Sequence, residues 1–591
     1  MDFGSWELPK WGGGVMYNLG MRKWSVLFGE LMRKRGLGED FLSSKYEDLA
    51  DPFLLPDMER AVERILEAGE KGEKVVIYGD YDVDGVTASV VMKEALGFAG
   101  VRDIEILLPD RFADGYGMNM GVVEKILKVG VGLVVTVDCG SGSGEVIAKL
   151  RERGVDCVVT DHHEIGEVPE AAVAVVNPKR ENRMDSRDPS HHFCSAKDGE
   201  GLTSKPEDDE RIEGMDLAGV GVAFKVAVAV NAKMNGGVCD GQEKWLLDLV
   251  ALGTVCDAVP LVGENRILTT FGLKVLAKTR RVGLAELMKL AGVKRLDARA
   301  LGFQIGPRLN ASGRMRTAEM SLALLLETNR AKAFGLAREL EELNKERKEM
   351  QMMVMNEIKE GSVGKEAVMV ACGKWHEGVI GIVAGRMVEE YRRPCFVFAE
   401  MEGGLLKGSG RSFGDFSLAD CITECQKLLV KGGGHNFACG VTIAKKDLDG
   451  FKTAVNEYYE NLGLKNQQRF LVVEEDVVTR DLGELASEMF CEELALLEPY
   501  GEGNVEPVFK LQGVAALTTV AMGANRKHLK LNVRGGDGKD MKLVAFSAPK
   551  EWFDVVEGDR LDVLVNLELN EWNGVKMVEG KILGIEKVWD I

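Results

Sequence analysis

At 591 residues the chain is too long for one hydrophobic core, so three or more domains are expected. Its 45% hydrophobic and 29% charged residues are an ordinary globular composition; no window approaches the roughly 18 apolar residues of a membrane span, and the N-terminus lacks the basic-then-apolar pattern of a secretory signal. A net charge of −19 argues against a general nucleic-acid coat, though not against a grip in one basic channel, and the 11 scattered cysteines, odd in number and without a C-x-x-C pair, fit a reducing cytoplasm better than structural zinc or a disulfide framework.

Residues 1 to about 44 carry Trp and Gly with little periodicity, apart from a basic amphipathic piece from Met21 to Arg35, which reads as a short helical arm packed on the next domain. Asp57 to Gly69 is helical. Val75 to Tyr78 is then a continuous apolar run of the kind that makes a buried parallel strand. It ends in carboxylates at alternate positions, Asp80, Asp82 and Asp84, and alternate residues of an extended chain point the same way. So many neighbouring carboxylates resist ionising unless a cation sits among them. A solvated acidic turn is the other reading of such a loop.

The design recurs. Val131 to Asp138 is an apolar strand closed by a carboxylate and followed by glycines; Val155 to His163 closes with Asp161, His162 and His163. Strands alternating with helical segments imply right-handed crossovers and a parallel sheet, whose ligand site lies beyond the carboxyl ends of its strands. A mixed carboxylate and imidazole set there suits Mn²⁺ or a related divalent ion, with room for two. Arg111, after the second strand, is either a surface arginine or a phosphate clamp at the rim.

Residues 181 to 214 hold ten acidic and five basic residues and no periodicity, which reads as a flexible acidic insertion; His191, His192 and Cys194 within it are stray loop residues sooner than ligands. Trp245 to Thr254 is a helix running toward Asp257, a lone carboxylate that the residues alone leave undecided. Arg308, Asn310 and Arg314 are spaced for a loop; guanidinium forks there suit phosphate oxygens, with ordinary ion pairing as the alternative. Asn329 to Gly361 is a long charged helix linking two domains. From 364 to about 460 a second α/β unit carries His376, Ser409, Arg411 and His435 on glycine-rich loops, without the Lys-Ser or Lys-Thr of a nucleotide P-loop. Short alternating strands from Phe509 onward, with a hairpin signal at Asn573–Gly574, suit an OB-type barrel; Trp552, Phe553 and Trp572 are its candidates for base stacking or for core packing.

Gly79 to Gly85 together with Asp161-His-His163 resembles the DHH phosphoesterase superfamily. Leu108 to Phe112, Gly306 to Arg314, His376 to Val383 and Gly432 to His435 are, in the same order, similar to the RecJ-type single-strand-specific exonucleases, from about residue 45 to the C-terminus. The resemblance implies an α/β multidomain chain: an arm at 1–44, a DHH catalytic domain at 45–328 containing the insertion at 181–214, a linking helix at 329–361, a DHH-associated α/β domain at 362–464 and an OB-fold nucleic-acid-binding domain at 465–591. Similar chains pass almost directly across the place where the insertion stands. The resemblance further implies a 5′ to 3′ exonuclease that degrades single-stranded DNA to mononucleotides in DNA repair and recombination. Asp82, Asp84, Asp138, His162, His163 and Asp257 would hold two Mn²⁺ or Mg²⁺ ions, with Asp80 and Asp161 orienting them. Arg111, Arg308, Asn310, Arg314, His376 and His435 would line the strand's path, and Ser409 and Arg411 would hold its terminal phosphate. It implies a cytoplasmic monomer, with a single-strand-binding protein and a helicase as conceivable partners and no membrane. A small-substrate DHH phosphoesterase and a non-catalytic DNA-binding relative are the rival readings; the 465–591 segment argues against the first and the intact ligand set against the second.

Overall fold

A computed structural model describes residues 24–115, 117–180, 216–361, 364, 366–464, 475–523, 525–572 and 575–588, without the Trp572 and Val575 side chains. The insertion at 181–214, with His191, His192 and Cys194, the Trp572 side chain and the Asn573–Gly574 turn lie outside the described residues.

The first sheet has the order β2-β1-β3-β4-β5, all parallel, from β1 (Val75–Tyr78), β2 (Ile104–Leu107), β3 (Leu133–Val137), β4 (Asp156–Thr160) and β5 (Ala174–Val176). β1 and β3 are wholly buried, which is why they read as unbroken apolar runs and not as alternation. One face packs on helices Met58–Lys71, Val83–Phe98, Gly219–Met234 and Leu247–Asp257, the other on Met120–Val129 and Gly144–Glu152. The strand order turns back at β1, so a crevice opens beyond the carboxyl ends of β1 and β3.

Helix Arg330–Glu360 follows, 31 residues capped by the Asn329 side chain, which accepts from the amides of Ala331 and Lys332. At 1.5 Å per residue it spans about 46 Å. It leads to a second sheet, order β6-β7-β8-β10-β9, from β6 (Met369–Gly373), β7 (Cys395–Glu400), β8 (Leu405–Arg411), β9 (Leu429–Gly434) and β10 (Ala438–Ala444). β6 and β7 run parallel and the other pairs antiparallel. Helix Glu377–Tyr391 covers the face that carries Ser409 and Arg411.

The last unit is a closed barrel. β12 (Phe509–Met522), β13 (His528–Arg534), β14 (Asp540–Ala545), β16 (Val575–Lys587) and β15 (Arg560–Trp572) pair in that order, β15 returns to β12, and β11 (Val477–Thr479) adds parallel to β12. Trp552 and Phe553 are partly buried and pack against the barrel core.

One expectation is corrected. The helix Val26–Lys34 does not pack on the next domain but on the barrel at the far end of the chain, where Phe28, Leu31 and Met32 join Leu482, Phe490 and Leu494 in one core. Arg35 grips Asp476 with both arms of its fork, at 2.6 and 2.8 Å. An apolar stripe at i, i+3, i+4 says that a face must be covered and not which domain covers it. Arg266 completes the clasp: it stacks 3.9 Å over the Phe41 ring and donates to the carbonyls of Leu496 and Leu497. Phe28→Ala should therefore destabilise the barrel by about 3 kcal/mol. Thermal unfolding of the full chain checks this, and a loss below about 1 kcal/mol would show that the arm is not part of the barrel core.

Candidate metal centre and strand-binding cleft

Each sheet strand that faces the crevice ends in a group fixed by its own local chemistry. Asp82 caps helix Val83–Phe98, accepting from the Gly85 amide at 3.1 Å. Residue 85 must be glycine because a Cβ there would sit 2.6 Å from the Asp80 backbone. Asp84, in the first helical turn and 1% exposed, accepts from the amides of Gly219 (2.6 Å) and Val220 (2.9 Å) at the start of helix Gly219–Met234, where the helix dipole favours negative charge. Asp138, just past β3, is held at φ +58°, a left-handed conformation uncommon outside glycine.

Asp161 past β4 is fully committed. It accepts from the Ser141 amide at 2.9 Å, the His162 amide at 2.8 Å and His163 Nδ1 at 2.8 Å. Asn177 past β5 donates to Ser141 Oγ (3.0 Å) and to the His163 carbonyl (2.9 Å), tying the same corner together. Asp257 is the last residue of helix Leu247–Asp257.

These side chains converge. Ligand atoms of Asp138, His162 and His163, of Asp84, His162 and Asp257, and of Asp80, Asp82 and Asp138 each lie within 4.8 Å of one another. His162 Nε2 stands 3.1 Å from Asp138, 3.7 Å from Asp257 and 3.9 Å from Asp84. Asp80 Oδ1, Asp138 Oδ1 and His162 Nε2 are buried with no hydrogen-bond partner, although buried polar atoms are nearly always paired. Divalent cations held by these groups would satisfy all three atoms, Asp138 standing in a group with each of the other two, and the mixture of carboxylate and imidazole suits Mn²⁺ or Mg²⁺. The residues fit the ion. Asp80, expected from the sequence to orient the ligands, leaves Oδ1 unpaired and has a carboxylate oxygen within 4.8 Å of ligand atoms of Asp82 and Asp138.

Protonation tells the same story. Burial, then the neighbouring carboxylates, pushes Asp84 and Asp138 well above the usual carboxylate range, Asp80 up to about 8 and Asp257 up to about 6. Burial pulls His162 down to about 3, leaving it neutral, the form that binds a metal. For Asp161, burial is outweighed by the His163 and Ser141 hydrogen bonds, which hold it at about 2.

A cationic wall faces this centre from both α/β domains. Arg111 lies 4.7 Å from the centre of the Tyr81 ring, and next to it Phe112 meets His376 edge to face at 5.5 Å. His376 caps helix Glu377–Tyr391. A side chain at Gly378 would collide with the Arg314 carbonyl, so the two domains touch through backbone there. Burial, then the charges of Arg111 and Arg347, brings Arg314 down to about 9. Arg411 bonds to Ser409 Oγ at 3.0 Å and the Gly410 carbonyl at 2.8 Å. Arg308, Asn310 and Arg314, expected on a loop, lie instead on helix Gly306–Met315, and Ser409 and Arg411, also expected on a loop, lie on β8; Asn310 is half-buried, and His435 is exposed in the β9–β10 turn. Arg308 departs from its expected place in this set: its fork is taken by Glu341 and the Gln304 carbonyl, the ion-pairing alternative. Residues that sequence reasoning passed over are Ser141, Asn177, Gly219 and Arg347. Only the Asn-Pro step at 177 and the glycines around 219 hinted at a constraint.

The N-terminal domain model of the DHH family matches residues 74–254, the DHHA1 domain model residues 365–461, and the RecJ OB domain model residues 481–583. The chain is 33% identical to the single-stranded-DNA-specific exonuclease RecJ of Haemophilus influenzae, over 93% of each chain. It is also 33% identical to that of Bacillus subtilis, where it spans 66% of the relative's length. The crystal structure of RecJ in complex with Mn²⁺ from Thermus thermophilus superposes with a TM-score of 0.76 at 28% identity, over 96% of this chain and 76% of that one; that protein has also been solved in complex with Mg²⁺.

Proposed function

The chain belongs to the RecJ family of single-stranded-DNA-specific exonucleases, and from that premise we propose that it hydrolyses single-stranded DNA from the 5′ end, releasing mononucleotides. It is a metal-dependent exonuclease. The observation that carries the reading is one cleft with orphaned metal-ligand atoms on its floor and arginines on its wall.

Asp80, Asp82, Asp84, Asp138, His162, His163 and Asp257 would hold two Mn²⁺ or Mg²⁺ ions, which supply Lewis acidity and a water acidic enough to attack phosphorus near neutral pH. Asp138 and His162 each belong to two of the three ligand groups. Asp161 keeps the His163 ring oriented through Nδ1, and the Gly219 and Val220 amides fix Asp84, so neither ligand loses further rotational freedom when it engages. Arg111 and Arg314 offset charge on the phosphate undergoing attack, and Ser409 with Arg411 receives the terminal phosphate. Gly378 and Arg314 bring the backbones of the two domains together beside the centre, and a cleft between those domains would admit one strand and exclude a duplex. Among the described residues no helix is long and apolar enough to cross a membrane. We extend the proposal to a cytoplasmic monomer that works in repair and recombination beside a single-strand-binding protein and a helicase.

The rival of a small-substrate phosphoesterase leaves the barrel and its N-terminal clasp without a role. Purified protein in Mn²⁺, offered 5′-labelled single-stranded DNA, duplex DNA and a dinucleotide, separates the two: hydrolysis confined to the dinucleotide would sink the exonuclease reading. A terminal phosphate carries more charge than an internal diester, so Arg411→Ala should lower activity most on 5′-phosphorylated ends, shrinking their advantage over 5′-hydroxyl ends about tenfold, the scale of one charge-assisted hydrogen bond. An unchanged ratio of initial rates would remove Arg411 from that role.

A further inference from the structure

Arg111 is half-buried in the turn after β2, and among the described residues no carboxylate, carbonyl or hydroxyl pairs with its guanidinium. Arg308 and Arg411, by contrast, are both hydrogen-bonded within the protein. What Arg111 has is a ring: its Cζ lies 4.7 Å from the centre of the Tyr81 ring.

The backbone on both sides of this pair is fixed. Asp110 accepts from the amides of Phe112 and Ala113, at 2.8 and 3.0 Å, and its own amide donates to Asp114 at 2.9 Å. Phe112 ties the same turn to the second domain through its edge-to-face contact with His376. Tyr81 stands between Asp80 and Asp82 of the metal centre. Its carbonyl lies so close to helix Gly306–Met315 that a Cβ at Gly313 would be 2.8 Å away, and its side chain packs on the main core. The Tyr81 hydroxyl makes no hydrogen bond among the described residues, so the ring is the part that meets Arg111.

A guanidinium resting on a ring keeps its N–H donors for a ligand. An arginine free to sample its rotamers loses that freedom when a phosphate binds; one already held by a ring loses less. Behind burial, the Arg111 charge is among the influences on Asp80 at the metal centre and on Arg314 and Arg411 on the wall. It therefore acts between the floor of the cleft and its phosphate-binding side.

We infer that Tyr81 is a positioning residue for Arg111: its ring holds the guanidinium where the phosphate under attack arrives. Tyr81 acts through Arg111 and not on the ions, although it sits between two of their ligands. The inference rests on the exonuclease reading and assigns a task to a motif residue that carries no metal-binding group.

The test compares kcat/KM in Mn²⁺ on a 5′-phosphorylated single strand, using the full chain and its variants. Tyr81→Leu should lose about tenfold, the scale of one cation–π contact in a partly desolvated site, with the Mn²⁺ concentration for half-maximal rate unchanged. Tyr81→Phe keeps the ring and should retain the rate that Tyr81→Leu loses. Arg111→Ala should fall at least as far as Tyr81→Leu, and combining the two should cost nothing more, as expected when one residue acts through the other. Arg111→Lys leaves the metal loop untouched and should also fall about tenfold, because lysine does not replace a stacked guanidinium. Four results would each overturn the inference: a Tyr81→Phe enzyme as poor as Tyr81→Leu, a further loss in the double variant, weakened Mn²⁺ affinity in Tyr81→Leu, or a wild-type rate in Tyr81→Leu or Arg111→Lys. All four leave the exonuclease standing. A wild type inert on single-stranded DNA would sink the reading beneath it too.

Discussion

Asp138→Ala is expected to abolish turnover while leaving single-stranded DNA binding within about tenfold of wild type. Asp138 belongs to two of the three ligand groups, is 2% exposed, and holds an oxygen with no hydrogen-bond partner. Its loss removes charge compensation worth several kcal/mol of the barrier, about a thousandfold or more in rate. The fold should not suffer. Burial and the neighbouring Asp84, Asp82 and Asp80 push this carboxyl far above its ordinary range, so in metal-free protein its removal relieves the cost of burying an acid among other acids. The variant should melt at or slightly above the wild-type temperature without metal and gain less than wild type when Mn²⁺ is added. Arginines on the other wall still meet the phosphates, hence the spared binding. A folded variant that keeps more than a few per cent of the single-turnover rate would take Asp138 out of the centre.

The centre was legible in the sequence because its logic is local. A buried parallel strand must be apolar throughout, so the first carboxylate after each run marks the strand's ligand-facing end, and three such runs pointed to Asp80 to Asp84, Asp138 and Asp161 to His163. The long helix and the barrel were legible for similar reasons, a stretch with an Asn cap and no internal proline in one case and period-two strands in the other. Roles that depend on a partner remote in the chain were not. Arg308 carries the same guanidinium as Arg314, and only the fold shows that Glu341 takes it. Asp80 and Asp161 look alike as strand-end carboxylates, yet one is saturated by hydrogen bonds and the other has a bare oxygen. The arm's apolar stripe was visible, while its docking surface lies more than four hundred residues away, on the barrel.

Gly219 shows the same limit most sharply, and replacing it with alanine should cost about a hundredfold in rate. The residue opens helix Gly219–Met234, and its amide holds Asp84 at 2.6 Å. A Cβ there would lie 2.6 Å from both Asp138 Cβ and Oδ1 and 2.8 Å from Cγ, distances that real side chains do not tolerate. Asp138 cannot easily yield, since its left-handed backbone is tied by its amide to the Thr160 carbonyl at 3.0 Å. Either the carboxylate turns away or the helix start withdraws, taking its hydrogen bond off Asp84. Both displace a ligand by about an ångström, and misplacement on that scale costs about a hundredfold. Overpacking should also lower stability by about 1–3 kcal/mol, too little to unfold a domain with so large a core. Gly221→Ala is the control: two residues further along the same helix, its Cβ would have Leu217 side-chain atoms as its three nearest neighbours, from 3.2 Å, so its rate should stay within a few fold of wild type. Steady-state kinetics with Mn²⁺ titration would read both variants, and the Gly219→Ala enzyme should need more metal to reach half its rate. If it keeps more than a tenth of the wild-type rate at unchanged metal affinity, the close approach of this helix to Asp138 does not set the geometry of the centre.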